Sequence, residues 1–317
     1  MDTETRYHPS TEQLALASTI EESLVELLPL SRLHTACHED ARTWRSLEEI
    51  GVFSIGVSED SGGSGLGAVE EALIVMSLGR RLACPSVLAT IGAALARGTP
   101  STGVRTAAAY RHAGRTILVD EPETSFVLLR DEGNVALYDS RSWRSKSVDG
   151  RLWLANLQEA TGMGEPLARF DATQCMRLRL LDAAALAGIA DTALEASVAY
   201  ARIREQFGRP IGSFQAVKHH CANMAIASRC ARDQTNFAAV ALDEGRADAP
   251  MEVEYAFLVA GSAALENAKL TIQIHGGMGF SDEAHPHLFL KRAQLLIAIA
   301  GGLEAATGRI ASNQGGQ

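Results

Sequence analysis

The sequence predicts an α+β chain in three parts: an all-helical N-terminal domain over 1–104, a reduced middle β domain over 105–172, and a C-terminal four-helix bundle over 173–317. Three observations carry that reading. Apolar residues recur every three or four positions through both flanks, the spacing that places them on one helix face. Between about 106 and 170 short β-branched runs alternate with turn residues. Aromatic content is 5% against a hydrophobic content of 46%, so the core must be built from Ala, Leu, Ile and Val, a mix that favours close-packed helices.

Residues 10 to about 50 read as helical, with Leu14, Ile20, Leu24 and Leu27 among polar neighbours. The pattern breaks at the glycine-rich stretch from Gly51 to Gly67. Its Gly62-Gly-Ser-Gly-Leu-Gly67 run looks like a phosphate loop, but no βαβ unit surrounds it, so a structural loop is the expectation. Ala68 to Leu82 is a further helix, ended in the neighbourhood of Cys84-Pro85. Leu88 to Ala96 begins another, closed by Gly98 and Pro100.

The middle third changes texture. Thr116–Val119, Phe126–Leu129, Val135–Tyr138 and Leu152–Leu154 are short strand-like runs. Asp131-Glu-Gly-Asn134 and Asp149-Gly150 are turn signals between them.

From about 173 four long helical segments are expected near 180–206, 214–246, 251–275 and 285–312, with connections short enough for an up-and-down bundle. The corner between the first two is Arg204-Glu-Gln-Phe-Gly-Arg-Pro-Ile-Gly-Ser-Phe-Gln215. Leu186, Ala190, Leu194 and Val198 lead into it on one face; Phe214, Val217, Cys221, Met224, Ser228 and Ala231 lead out. Gly208 and Pro210 stop the first helix. Arg204 and Arg209 give the corner two guanidinium groups, which suit a phosphate or pyrophosphate through paired hydrogen bonds.

Bulk properties exclude several classes. A net charge of −9 argues against nucleic acid as the main partner. An anionic ligand would have to be met by local arginines, because the overall field repels it. Five cysteines without a CxxC pair read as reduced thiols of a cytoplasmic protein. No signal peptide is expected from the polar Met1-Asp-Thr-Glu-Thr start, and no apolar run approaches the ~20 residues of a membrane span. His34-Thr-Ala-Cys37-His38 has ligand-like spacing, but no second ligand pair accompanies it, so no metal is expected. His219-His220-Cys221 reads as packing. His285-Pro-His287 can face a cleft, with capping or an interface as the plainer alternative. No nucleophile elbow is present, which disfavours a hydrolase.

Three stretches carry a family resemblance. Arg204-x-Gln-Phe-Gly-x-Pro-Ile-x-x-Phe-Gln215 resembles the signature of the acyl-CoA dehydrogenase flavoproteins. Gln273-Ile-His-Gly-Gly-Met-Gly-Phe280 is similar to the family's Gln-x-x-Gly-Gly-x-Gly-Tyr/Phe element, and Leu47 to Gly67 resembles its N-terminal glycine-rich run. The family's middle-domain Thr-Glu-Pro-x-x-Gly-Ser-Asp element, which wraps the flavin ring, has no counterpart; Asp120-Glu-Pro122 is a partial echo.

The resemblance implies α,β-dehydrogenation of an acyl-CoA thioester, in which a carboxylate removes the α-proton while hydride leaves the β-carbon for FAD. The family places that Glu in one of two positions. One belongs to the Arg-Asp-Ala…Tyr-Glu-Gly-Thr pattern, which falls on Lys291-Arg-Ala and reaches Ala300. The other lies eleven residues before the Gln of the Gly-Gly element and falls on Ser262. Glu266 and Glu304 each come four residues later, about 6 Å along a helix, too far for proton transfer.

What the resemblance leaves is the half of a flavin site that one subunit lends its neighbour: Arg204, Gln206, Phe207, Phe214 and Gln215 from the first element, Gln273, Gly276 and Gly277 from the second. It therefore implies a shortened, non-catalytic partner of a catalytic acyl-CoA dehydrogenase subunit in an α2β2 assembly. An electron-transfer flavoprotein would be the acceptor, and bulky or steroid side-chain thioesters a possible substrate class. The alternatives are a self-sufficient homo-oligomer with Glu266 or Glu304 as a displaced base, and a flavin-free structural or regulatory relative.

Overall fold

The computed structural model describes residues 6–119, 123–131, 133–148 and 154–314. Asp120-Glu-Pro122, Asp149-Gly150, Glu132 and the Leu152-Trp153 pair lie outside the described residues.

The N-terminal helices begin where caps dictate. α1 (Thr11–Leu27) opens on Ser10, whose hydroxyl accepts from the Gln13 N–H while the Gln13 side chain reaches back to the Ser10 N–H, a reciprocal capping box. α2 (Ala41–Glu49) opens on Asp40, which accepts from the Thr43 N–H at 2.7 Å. The expected continuous helix is thus broken between Leu27 and Ala41, where Pro29 removes a backbone donor. α3 (Ala68–Arg80) is buried on nearly every face. α4 (Pro85–Arg97) starts on Pro85, whose missing N–H costs nothing in the first turn, and stops at Gly98, φ +62°.

Seven strands form one sheet in the order β5-β6-β2-β1-β3-β4-β7. They are β1 (Arg105–His112), β2 (Arg115–Val119), β3 (Thr124–Asp131), β4 (Asn134–Asp139), β5 (Arg144–Ser147), β6 (Leu157–Gly162) and β7 (Ala168–Arg169). β1 runs parallel to β3 and every other pairing is antiparallel. The central strand β1 escaped the sequence reading because Ala107-Ala-Ala109 carries no β-branched signal. Both faces are covered: Ala108, Leu128 and Leu137 pack with Leu178 and Ile299 from the helices, Ala107, Val127 and Leu129 on the reverse side.

The C-terminal part holds α5 (Ala172–Ile203), α6 (Gln215–Asp243), α7 (Ala249–His275), α8 (Pro286–Ile299) and α9 (Leu303–Gln314). Two expectations are corrected here. The first helix starts eight residues earlier than 180, because Asp171 caps it with Gln174 as reciprocal partner. The fourth segment is two helices bent by 45°, because Gly301 and Gly302 take φ of +90° and +86°, conformations a helix cannot contain. α3 crosses α5 at van der Waals backbone distance: a Cβ on Gly188 would lie 2.0 Å from the Met76 carbonyl oxygen, and one on Gly79 2.1 Å from that of Ala185. Asn267 ties three helices through Nδ2, donating to Ala190 O, Met224 O and Ser228 Oγ. No single described helix is long and apolar enough to cross a membrane.

Candidate functional site

α5 ends at Arg204, whose extended backbone turns the chain out of the helix. A two-strand ribbon follows, β8 (Glu205–Gln206) against β9 (Arg209–Pro210). Its two central residues, Phe207 and Gly208, have φ of +55° and +74°, the pattern of the tight hairpin turn that matches strand twist. Glycine takes that conformation freely; phenylalanine takes it at a cost. Phe207 is nonetheless 91% exposed, its ring meeting that of Phe214 edge to face with centroids 6.1 Å apart. Backbone strain of this kind is retained where the surrounding structure or a function holds it.

The second element leaves α7 beside the first. The rings of Tyr200, one turn before Arg204, and His275, one residue before Gly276, stack with centroids 4.1 Å apart. His275 Nδ1 donates to Thr271 O at 2.8 Å, and burial holds its imidazole below the usual range. With Nδ1 donating, the neutral form of the ring presents Nε2 as an acceptor. Gly276 reverses the chain with φ +58° and ψ −134°, a conformation reserved for glycine. No atom lies within 4 Å of a Cβ built on Gly276 or Gly277, so a nucleotide can approach this backbone closely.

The sequence-predicted residues therefore meet at one end of the bundle. Arg204, Gln206, Phe207, Gln215, Gln273, Gly276 and Gly277 are exposed and Phe214 half-buried. Arg204 has no ion pair among the described residues. Arg209 is engaged differently than expected, its guanidinium lying over the Phe214 ring at 4.2 Å in a cation–π contact. Ile203 and Phe280, 78% and 76% exposed, extend the rim. These donors and the open Gly-Gly backbone fit one flank of an FAD nucleotide.

The position of the family's base tells a different story. Ala300 ends α8, buried, beside a cavity of about 160 Å³. Arg179 Nη1 donates to the Ala300 carbonyl oxygen at 2.6 Å and lies over the Phe257 ring at 4.4 Å. Arg309 grips Glu254 through Nε and Nη2 at 2.8 and 2.9 Å, Arg179 approaches the same carboxylate at 3.7 Å, and Arg130 pairs with Asp182. Four guanidiniums face three carboxylates around this cavity. Burial pushes the Arg179 pKa down, a sign that its charge is only partly compensated. Glu266 is exposed and paired with Lys269 at 2.7 Å; Glu304 and Ser262 are exposed too, and none of the three lines the cavity. Asp182 and Glu254 were missed from sequence. Their signal was a charge on inward-facing helical positions, which implies a buried partner.

The glycine-rich loop is structural, as its context implied. The N-terminus of α3 that follows it is filled by Asp243 of α6, which accepts from the Ala68 and Val69 N–H groups at 2.6 and 3.0 Å. A Cβ on Gly67 would fall 2.5 Å from that carboxylate. Among the described residues no three His, Cys, Asp or Glu side chains converge on a metal position.

Comparison with known proteins bears on this geometry. Residues 10–102 match the acyl-CoA dehydrogenase N-terminal domain and residues 169–314 the acyl-CoA dehydrogenase C-terminal domain. The chain is 34% identical over 305 residues to acyl-CoA dehydrogenase FadE34 of Mycobacterium tuberculosis, covering 83% of this chain and 41% of that protein. It is 32% identical over 265 residues to acyl-CoA dehydrogenase IpdE2 of the same organism, covering 80% of each. The ChsE4-ChsE5 complex from Mycobacterium tuberculosis has the same fold, with a TM-score of 0.77 at 21% identity over 98% of this chain and 99% of that one.

Proposed function

We propose, from the premise that the chain belongs to the acyl-CoA dehydrogenase family, that it is the partner subunit of a flavin-dependent acyl-CoA dehydrogenase and completes the FAD site of a catalytic subunit. The observation that carries this reading is the open flank of exposed, strained and ligand-suited groups from Phe207 to Gly276 and Gly277. When bound, FAD supplies the hydride acceptor for α,β-dehydrogenation of the thioester. This chain's residues act on its nucleotide half. Arg204 neutralises pyrophosphate charge, Gln206, Gln215 and Gln273 offer amide hydrogen bonds, and Gly276 and Gly277 admit the nucleotide to the backbone. Phe207 and Phe280 exclude water by packing on the neighbouring subunit.

The chain's own base position supports a non-catalytic role. Ala300 has no titratable group, and the carboxylates lining its cavity, Asp131, Asp182 and Glu254, are each held by arginine. Such locked carboxylates are poor proton acceptors. The self-sufficient alternative loses support because Glu266 and Glu304 point to solvent. Acceptance of the electrons by an electron-transfer flavoprotein, and a bulky or steroid side-chain thioester as substrate, complete the proposal.

The test is flavin absorbance of the chain purified alone and after co-expression with a full-length catalytic subunit. Flavin that appears only in the complex, about one per unlike pair, is the expected result. One flavin per chain in the isolated protein, with turnover, would overturn the partner role. Flavin in neither preparation would favour a structural or regulatory relative.

A further inference from the structure

Two histidine sets that the sequence keeps 250 residues apart share a pocket in the fold. His34, Cys37 and His38, on the segment between α1 and α2, line a cavity of about 450 Å³ together with His287 and Lys291 of α8. His34 and His285 meet edge to face with centroids 4.9 Å apart. The volume lies within the range of about 300–1,000 Å³ usual for small-molecule sites. None of the flavin-site residues and none of the groups around Ala300 lines it.

The lining has two characters. Leu33, Ala155 and Leu288 are buried and make an apolar floor. Both ring nitrogens of His287 are shielded from solvent and form no well-aligned hydrogen bond among the described residues, the Ser281 backbone making only a loose contact. A buried polar group left in that state costs free energy that a ligand recovers. Lys291 stands one turn further along the same face of α8, also without an ion-pair partner among the described residues. The first turn of this 14-residue helix adds the positive end of its dipole. The opposing charge, Asp282, is exposed at the rim, where solvent screens it. Burial and the nearby Lys291 ammonium hold the His287 imidazole below its usual range, so near neutral pH it offers one N–H donor rather than a second cation.

We propose that this pocket binds an aliphatic carboxylate, its head on Lys291 and the His287 N–H and its hydrocarbon body along Leu33, Ala155 and Leu288. The assignment is independent of the partner-subunit reading, because it uses neither flavin nor a second chain.

The test is calorimetric titration of the full chain with butanoate, hexanoate, hexanol and inorganic phosphate. Hexanoate is expected to bind about tenfold or more tightly than hexanol, since a charge-assisted contact is lost in the alcohol. It should exceed butanoate by about fourfold per added methylene. Lys291→Gln, which keeps the stem and removes the charge, should weaken hexanoate about tenfold while leaving hexanol unchanged; His287→Phe should do likewise. Circular dichroism verifies that both variants fold, and chemical shifts of the His287 ring on adding hexanoate to the wild-type chain give a readout that needs no variant. Equal binding of hexanol and hexanoate would reduce the site to an apolar cavity and overturn the proposal. Phosphate binding as tightly as hexanoate, hexanoate binding that survives both substitutions, or no heat and no shift with any probe would overturn it as well.

Discussion

The guanidinium of Arg179 donates to the main-chain oxygen of Ala300 at 2.6 Å, at the residue where the family resemblance places the catalytic Glu. Arginine occupies the neighbourhood of that position, and the cavity there is bounded by ion pairs. Arg179→Met keeps the stem on the Phe257 ring but leaves the buried Ala300 carbonyl without its donor and Glu254 with Arg309 alone. A stability loss of about 1–3 kcal/mol is expected from an unsatisfied buried acceptor, read as a shift in urea midpoint. Flavin content of the co-expressed complex should be unchanged. A drop in flavin at full stability would instead place Arg179 in cofactor binding.

Phe207 is a position at which stability and the proposed function can be told apart. Its ring is 91% exposed and its φ is +55°, so Phe207→Gly removes little packing and relieves a left-handed conformation worth about 1 kcal/mol. The isolated chain should become as stable as before or slightly more so. The same variant should lower the flavin retained by the complex and weaken subunit association. Opposite signs in the two measurements are the signature of an interfacial residue; unchanged flavin and association would remove Phe207 from the site.

Asp243 tests the glycine-rich loop. It caps α3 from a helix 175 positions away in the chain, accepting two of the N–H groups a helix start leaves unpaired. Asp243→Ala should cost about 1–2 kcal/mol, with Asp243→Asn milder because the amide oxygen still accepts. Thermal denaturation compares the three. Equal melting temperatures would mean that the α3 terminus is satisfied by water at no cost.

What the sequence disclosed follows from which interactions are local. Gly98 and the Arg204–Gln215 corner were legible because a few adjacent residues decide them, whereas the Asp171 cap that starts α5 was passed over. β1 was not, because its strand character comes from being sandwiched between β2 and β3 rather than from Ala107-Ala-Ala109. The split after Ile299 depends on two glycines in positive φ, which read equally well as small residues in a packed helix. The site divided the same way. Residues in contiguous motifs, Gln273 to Gly277 among them, could be proposed from sequence, because each motif is read from neighbours in the chain. Glu254 and Asp182 gain meaning only through Arg309 and Arg130, partners remote in the chain.

Acidification gives a prediction whose sign can be worked out. The imidazoles of His275, His285 and His287 all lie below their usual range, burial being the first cause in each; His34 adds to it for His285 and Lys291 for His287. The unfolded chain therefore takes up protons below a pH of about 6.5 that the folded chain refuses. Stability is fully present above that pH and falls as the pH drops from the unfolded toward the folded values. Urea midpoints should decline between neutral pH and mildly acidic buffer, and His285→Asn with His287→Asn should flatten the decline. An unchanged slope in the double variant would assign the loss to carboxylate titration instead.

Arg292 supplies the strongest single test of how the core tolerates charge. It occupies the position of Asp in the Arg-Asp-Ala pattern and is fully buried, and all three guanidinium nitrogens are without a hydrogen-bond partner among the described residues. Desolvation pushes its pKa down to about 10, opposed by the nearby Cys84 and Glu39. Glu39 is already held by Arg32 through two contacts of 2.8 Å, so it compensates Arg292 only through space. A buried charge in that state is commonly replaced without loss by an apolar chain of similar volume. Arg292→Met should therefore raise stability by about 1–3 kcal/mol, whereas Glu39→Gln should lower it by leaving both arginines without a counter-charge. If Arg292→Met proves destabilising, the field of Glu39 and Cys84 outweighs the missing hydrogen bonds, and the guanidinium is an integral member of that buried cluster.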